Sequence, residues 1–453
     1  MSSILIKNIK EIVTMDKERN RLKGYSLLIK DNRVDKIAQE IEFTADQVID
    51  GADYFLYPGL INTHHHFYQT LTRNIAQVQN VELFNWLKYL YPIWARLTPE
   101  AVYYSSLVAM GELLKTGCTT SVDQFYVFPR SQPKELLDEE FRAAEEIGIR
   151  FHGSRGSMSL GEKDGGLPPD SVVQSEEEIL SDSQRVIEKF HNSRPFAMQR
   201  VVLAPCSPFS VTENLLRESI KLARNYKVRS HTHLAETKDE EKYCQEIFSM
   251  RPLDYMKKVG WLGKDIWFAH GVDLTEREID LLADTGTGIA HCPVSNQKLA
   301  SGAANIPYML QKRVPVGLAV DGSASNDSSN MIAELKAAFL MHRLIYGISS
   351  MSAEEVLSMA TNGGRDVLNQ QEIGSLEEGK AADMFLISSK RLGFAGGLSD
   401  PVSALVTSGD SQIVDINIVN GKIVVSDGRL VNIDEEKVIE KANQISQKMM
   451  EGK

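Results

Sequence analysis

The sequence predicts an α/β protein in which a (β/α)8 TIM barrel occupies residues 59–371 and a smaller β domain is assembled from both chain ends. Three observations predict it. Eight short apolar segments alternate with amphipathic stretches through the middle of the chain, the style of parallel strands joined by helices. Histidine closes four of those eight segments and aspartate the last. Residues 1–58 and 372–453 both show β-like alternation instead. With 453 residues, 42% hydrophobic and 25% charged, the chain can bury one large barrel and a smaller unit.

At the amino end ILIKNI, EIVTM, SLLIKD and VDKIA are short strands separated by turns such as Asp31-Asn32. Their counterparts are ADMFLIS and INIVNGKIVVSDGRLV, where Asn420-Gly421 between apolar alternations signals a hairpin. The last twenty residues, from Asp434, read as a polar terminal helix. Between the two ends the barrel strands are LINTH (60–64), TTSVD (119–123), RFHGSR (150–155), RVVLAPC (200–206), VRSHTH (228–233), IWFAH (266–270), TGIAH (287–291) and VPVGLAVD (314–321). Eight units in about 310 residues suit a barrel whose usual size is about 250 before insertions. Helix starts fall in the intervals: Thr98-Pro99-Glu100 places a capping residue before proline, and Thr275 with Glu278 and Ser352 with Glu355 fit capping boxes.

The net charge of −11 argues against a surface that tracks phosphates, so the expected partner is a small molecule, with neither nucleic acid nor membrane involved. Cys118, Cys206, Cys244 and Cys292 are scattered without a CxxC pair, which fits a reducing compartment and excludes a thiolate zinc finger. Met1–Lys10 lacks the pattern of a signal peptide, and no run approaches about 18 apolar residues. A cytoplasmic enzyme is expected, with a homo-oligomer as the base-rate assembly.

Catalytic groups of such barrels gather at the carboxyl ends of the strands. The apolar run Tyr54 to Ile61 reads as a strand that delivers His64 and His66 onto one face, with His65 on the other. His231 and His233 end the fifth strand, His270 the sixth, His291 the seventh and Asp321 the eighth. Glu236, three residues past His233, has the spacing of a carboxylate that moves protons beside a metal without binding it. Three imidazoles and one carboxylate leave room on a divalent ion for water, whose pKa then falls to about 7. Hydrolysis is the chemistry this predicts.

PGLINTHHHFYQ, HTHLAETKDEE, FAH, HCPVSN, VDGSASND and GSLEEGKAADMFLI together resemble the metal-dependent amidohydrolase superfamily, in its cytosine-deaminase-like and triazine-hydrolase-like branch, over essentially the whole chain. The resemblance implies a distorted barrel with a composite β-sandwich. It also implies one divalent metal, zinc or iron, on the residues matching His64, His66, His233 and Asp321, with Glu236 as proton shuttle and His270 as a second polarising group. Binuclear members carry a modified lysine at the end of the fourth strand; RVVLAPCSPFS has none, so one metal is expected.

Further stretches, LYPIWARLTPE, TGCTTSVDQFYVFP, RGSMSLGEKDGGLPPDSVV, APCSPFSV and HCPVSNQKLASG, are similar to the bacterial 8-oxoguanine deaminases as a family. This resemblance implies hydrolysis of 8-oxoguanine to urate and ammonia and places Gln69 and Cys206 against the purine. An amide matches an amide edge, and a neutral thiol is a weak donor to a carbonyl. Arg155 either donates to a ring carbonyl or pairs with an internal acid. Within FNWLKYLYPIW (84–94), Trp86 or Trp94 covers the flat ring, or the segment only packs on the barrel. His231 and His291 are either orienting groups or substrate contacts. Alternative activities on the same machinery are deamination of isoxanthopterin or guanine and removal of an alkylamine from a hydroxy-s-triazine. A non-catalytic, metal-stabilised scaffold is the alternative of another class.

Overall fold

A computed structural model describes residues 2–409 and 413–452; Met1, the first residue of the amino-terminal stretch considered above, lies outside them. Eight parallel strands form one sheet in strict chain order: Leu60–Asn62, Cys118–Phe125, Arg150–Ser157, Gln199–Pro205, Arg229–Leu234, Ile266–His270, Gly288–His291 and Val316–Leu318. All eight coincide with the apolar segments picked out in the sequence. Closure between the eighth strand and the first is partial. It rests on Thr63, whose N–H and hydroxyl both donate to Leu318 O at 3.1 Å, and on Asn62 Oδ1, which accepts the Val320 N–H at 3.0 Å. The barrel is therefore distorted at the seam from which three of the site's side chains, His64, His66 and Asp321, emerge.

The apolar run Tyr54–Ile61 is not one strand. Tyr54–Pro58 belongs to a seven-stranded sheet, and only Leu60–Asn62 enters the barrel. The break falls at Gly59, where a Cβ would stand 2.1 Å from Thr119 Oγ1, so only glycine lets the chain cross so close to the second strand. The seven-stranded sheet joins Glu11–Val13, Arg21–Leu22 and Tyr54–Pro58 to Met384–Ser388, Ile416–Val419, Lys422–Ser426 and Arg429–Leu430. A four-stranded sheet of Ser3–Ile9, Tyr25–Lys30, Arg33–Ala38 and Gln47–Asp50 packs with it over a core that includes Ile6, Leu27, Leu56, Met384 and Ile418. Both chain ends thus build one β layer pair. Asn420 and Gly421 have φ of 50° and 78°, the left-handed pair that a tight hairpin between Val419 and Lys422 requires.

Thr98, Thr275 and Ser352 cap their helices through side-chain oxygens, the last two within complete capping boxes. The terminal helix Glu435–Glu451 lies against the barrel: Ser446 Oγ donates to Leu71 O at 2.6 Å, and Lys115 Nζ is 2.6 Å from Glu435 Oε2. No helix among the described residues is long and apolar enough to cross a membrane.

Candidate metal centre and substrate pocket

Past the seam the first and eighth strands continue side by side, Asp321 N–H donating to His64 O at 3.2 Å. His64 Nε2 then lies 3.2 Å and His66 Nε2 3.3 Å from the same oxygen, Asp321 Oδ1. His66 Nε2 is 3.1 Å from His233 Nε2. Ligands held at about 2.1 Å by a tetrahedral ion stand about 3.4 Å apart, so these contacts have the spacing of a shared coordination shell. His64 Nε2 is buried without a hydrogen-bond partner although it faces a carboxylate. Two ligands of one ion meet in that way. His64, His233, His270 and Asp321 also present donor atoms that all lie within 4.8 Å of one another.

The second nitrogen of each imidazole is anchored, which decides its tautomer. His66 Nδ1 donates to Gln124 O at 2.8 Å and His233 Nδ1 to Cys206 O at 2.7 Å. For His64 the anchor is His231: His231 Nδ1 donates to Trp267 O at 3.1 Å, so its Nε2 accepts from His64 Nδ1 at 2.7 Å. All three Nε2 atoms are left as lone-pair donors. Burial holds His64, His66 and His233 below the ordinary histidine range, in the neutral form that binds metals. Burial would raise Asp321, but His64, His270 and His66 beside it outweigh burial and keep its carboxyl well below the usual range. The donor set is therefore three neutral imidazoles and a carboxylate, which suits a divalent ion such as zinc.

His270 behaves differently. Burial opposes its charge, yet Glu236 and Asp321 carry it above the ordinary histidine value, and Nε2 stands 3.6 Å from Glu236 Oε2. Its Nδ1 lies 3.0 Å from Asn296 Oδ1. Burial pushes Glu236 up to about 7 against the pull of His270, with Asp321 and Glu240 adding to the rise. His270 and Asp321 hold φ of 73° and 62°, left-handed values that non-glycine residues seldom adopt and that concentrate at functional sites. Asp321 Oδ2 accepts from Ser295 Oγ at 2.5 Å and Ser325 Oγ at 3.0 Å.

These groups line a pocket that His66, Gln69, Cys206, His233, Glu236, His270 and Asp321 share. Burial raises the Cys206 thiol to about 12, so it stays neutral. One wall is the helix Leu83–Trp94, through Leu83, Trp86, Leu87 and Tyr91. Tyr126, Phe209, Leu299 and Ser325 complete the lining. Tyr126 follows the second strand, so the strand-end rule that found the histidines reaches it once aromatic residues are admitted.

Arg155 is not among the lining residues, and its substrate contact is corrected. Its Nε lies 2.6 Å from Asp182 Oδ2, Nη2 donates to Gln174 Oε1 at 2.9 Å, and the guanidinium sits 3.8 Å from the centre of the Phe128 ring. The internal-acid alternative describes this residue. Trp94 is likewise outside the pocket, its Nε1 donating to Thr72 Oγ1 at 3.1 Å. Of the two histidines left open, His231 is an orienting group. His291 pairs with His342, Nε2 to Nε2 at 3.0 Å, away from the pocket lining. His65 is structural: its Nδ1 accepts the His66 N–H at 2.7 Å and its Nε2 donates to Ser329 Oγ at 2.9 Å.

Comparison with known proteins agrees with this architecture. Residues 55–424 match the amidohydrolase family. The 8-oxoguanine deaminase of Pseudomonas aeruginosa is 46% identical over 412 residues, covering 90% of this chain and 91% of that protein. The hydroxydechloroatrazine ethylaminohydrolase of Pseudomonas sp. strain ADP is 36% identical over 467 residues, covering 100% of this chain and 97% of that one. Among solved structures, atrazine chlorohydrolase from Arthrobacter aurescens TC1, complexed with zinc, superposes with a TM-score of 0.94 at 30% identity, over 98% of this chain and 100% of that one.

Proposed function

The chain belongs to the amidohydrolase family, and from that premise we propose that it converts 8-oxoguanine to urate and ammonia by metal-dependent hydrolysis. It is a hydrolase of C–N bonds whose chemistry is deamination of an amino-heterocycle. One observation carries the reading: His66, His233 and Asp321 of the donor set line one pocket together with the Glu236 carboxyl, Gln69 and Cys206. A divalent ion, zinc by preference, is assigned to His64, His66, His233 and Asp321, and when bound it supplies the Lewis acidity that brings a water to a pKa of about 7.

The side chains then divide the proton work. Asp321 takes the proton of the attacking water as its oxygen bonds to the ring carbon that carries the amine. Glu236, held near neutrality, delivers a proton to the adjacent ring nitrogen. His270, drawn toward its charged form, steadies the tetrahedral carbon's new oxygen. Proton return from Asp321 or Glu236 to the exocyclic nitrogen breaks the C–N bond, and ammonia leaves a ring carbonyl behind. Gln69 is assigned to the amide-like edge of the heterocycle and Cys206 to a carbonyl.

The second reading keeps this machinery and changes the ring, to guanine, isoxanthopterin or a hydroxy-s-triazine bearing an alkylamine; the 36% identity to the ethylaminohydrolase favours including the last. Release of ammonia, or of the alkylamine from the triazine, across a panel of these compounds by the zinc-loaded enzyme decides between them. The greatest kcat/KM is expected on 8-oxoguanine, and a greater value on any other member displaces the assignment. Turnover of any panel member disposes of the non-catalytic scaffold. The same reading places the protein in the cytoplasm, with the heterocycle as its small-molecule partner and a homo-oligomer as its assembly, the last measured by light scattering.

A further inference from the structure

The chain has four tryptophans, and three of their indole N–H groups are satisfied within the protein. Trp94 donates to Thr72 Oγ1 at 3.1 Å, Trp261 to Leu216 O at 2.8 Å and Trp267 to Thr63 O at 3.1 Å. Trp86 is the exception: its Nε1 is buried and has no hydrogen-bond partner, although the residue is only 3% exposed. Trp86 lines the substrate pocket. Tyr91, on the same helix, lines it too, and its fully buried hydroxyl is also without a partner. Among the described residues of the pocket wall outside the metal donor set, these are the two with buried, unpartnered polar atoms.

Leaving a buried donor unpaired is expensive, about 1–3 kcal/mol each, so a donor retained in an apolar wall is paired when the pocket fills. The rest of that wall, Leu83, Leu87, Phe209 and Leu299, offers a ring only apolar contact. An indole N–H donates and never accepts, whereas a phenol does either. The group that meets Trp86 Nε1 must therefore be an acceptor, and a carbonyl oxygen, with two lone pairs, can take a second hydrogen bond from the Tyr91 hydroxyl, which a C–H edge cannot.

We propose that Trp86 Nε1 and Tyr91 Oη form a two-donor clamp for a ring carbonyl of the substrate, remote from the carbon that loses its amine, and that this clamp sets specificity for an oxo-substituted bicyclic heterocycle over its unsubstituted parent. The inference deepens the deaminase reading and rests on it for the identity of the reacting edge. Gln69 and Cys206 remain the contacts already assigned. The clamp adds recognition of the opposite edge, the feature that distinguishes 8-oxoguanine from guanine.

The test compares wild type with Trp86→Phe and Tyr91→Phe, each loaded with zinc, on two pairs of compounds that differ only in the oxygen at C8. For turnover the pair is 8-oxoguanine and guanine; for binding, by calorimetry, it is urate and xanthine. Each substitution is expected to lower kcat/KM for 8-oxoguanine and weaken urate binding about 10- to 100-fold, while guanine and xanthine change less than about threefold. Equal losses on both members of a pair would mean that the helix only packs the pocket, and no loss would mean that neither donor meets the ligand; either result overturns the clamp. If wild type turns over neither purine but prefers urate to xanthine through Trp86 and Tyr91, the clamp stands and the deaminase assignment falls. A wild type that favours neither 8-oxoguanine over guanine in turnover nor urate over xanthine in binding removes the clamp.

Discussion

The Glu240 carboxylate accepts the backbone N–H of Glu236 at 3.1 Å through one oxygen and that of Ala235 at 3.0 Å through the other. Ala235 has a φ of 52°, so the chain turns sharply just before the shuttle, and Glu240, fully buried in the first turn of the helix Lys238–Phe248, holds that turn. In Glu240→Gln the amide can serve only one of the two N–H groups. A shuttle misplaced by about 1 Å costs on the order of 100-fold in rate. The expected outcome is a kcat reduced about 10- to 100-fold at unchanged zinc content, measured by steady-state kinetics and elemental analysis; full activity would show that the turn holds without its acceptor.

Activity should fall as pH rises through neutrality. Burial favours the neutral form of Glu236 and lifts it to about 7, well above the carboxylate range. Below that value the residue holds the proton that the ring nitrogen needs; above it the proton is lost, and kcat/KM declines toward tenfold per unit of pH. Glu240 contributes to the rise through its own charge, so Glu240→Gln should move the descending limb to lower pH. A profile that stays flat from pH 6 to 9 would remove Glu236 as the acid.

Metal affinity should depend on a residue that cannot reach the metal. His231 relays the Trp267 carbonyl to His64 Nδ1 and so keeps His64 Nε2 free. His231→Phe removes the acceptor, and loss of such an orienting partner costs about 10- to 100-fold in affinity. His66→Ala, lacking a proposed ligand, should not retain stoichiometric zinc at all. Competition with a chelator ranks the three proteins, and an order other than wild type, His231→Phe, His66→Ala would contradict these roles.

How much of this was legible in the sequence follows from what each residue answers to. The eight barrel strands are buried on both faces, so each is an apolar run between turns. Their ends carry His64, His233, His270 and Asp321 because the fold gathers strand ends at one mouth. The break at Gly59 was hidden because both sides of it are apolar, and only the approach of Thr119 makes it visible. His231 and His233 look alike in HTHLAE; what separates them is a carbonyl of the next strand, Trp267 O, which no local pattern encodes. Glu240 resembles any acid in the first turn of a helix until its two N–H partners are seen.

Arg155 illustrates the same limit and can be tested through its partner. Arg155 and Asp182 are both buried, and Asp182 is also 2.7 Å from Arg185. Asp182→Asn leaves the Arg155 guanidinium buried without its countercharge, a change of the kind that costs about 3–5 kcal/mol. A lower denaturation midpoint with unchanged KM of the folded enzyme is expected. A raised KM at unchanged stability would return Arg155 to the substrate.

Gly322 controls where Gln69 stands. A Cβ at position 322 would lie 1.9 Å from Gln69 Oε1 and 2.4 Å from its Cδ, while the same Oε1 accepts the Ala324 N–H at 3.3 Å. Absence of a side chain at Gly322 therefore admits the amide to the pocket beside Asp321. The obstructed atoms are the end of a flexible side chain rather than backbone, so Gly322→Ala can be accommodated by swinging the Gln69 amide away, with little effect on folding. Displacing a contact made equally in the ground and transition states raises KM and leaves kcat nearly unchanged. For Gly322→Ala we expect zinc content and melting temperature close to wild type and a KM for the purine raised about 10-fold or more, with Gln69→Ala giving a similar KM and the double variant little further loss. Additive losses in the double variant would mean that Gly322 acts through Asp321 instead of Gln69.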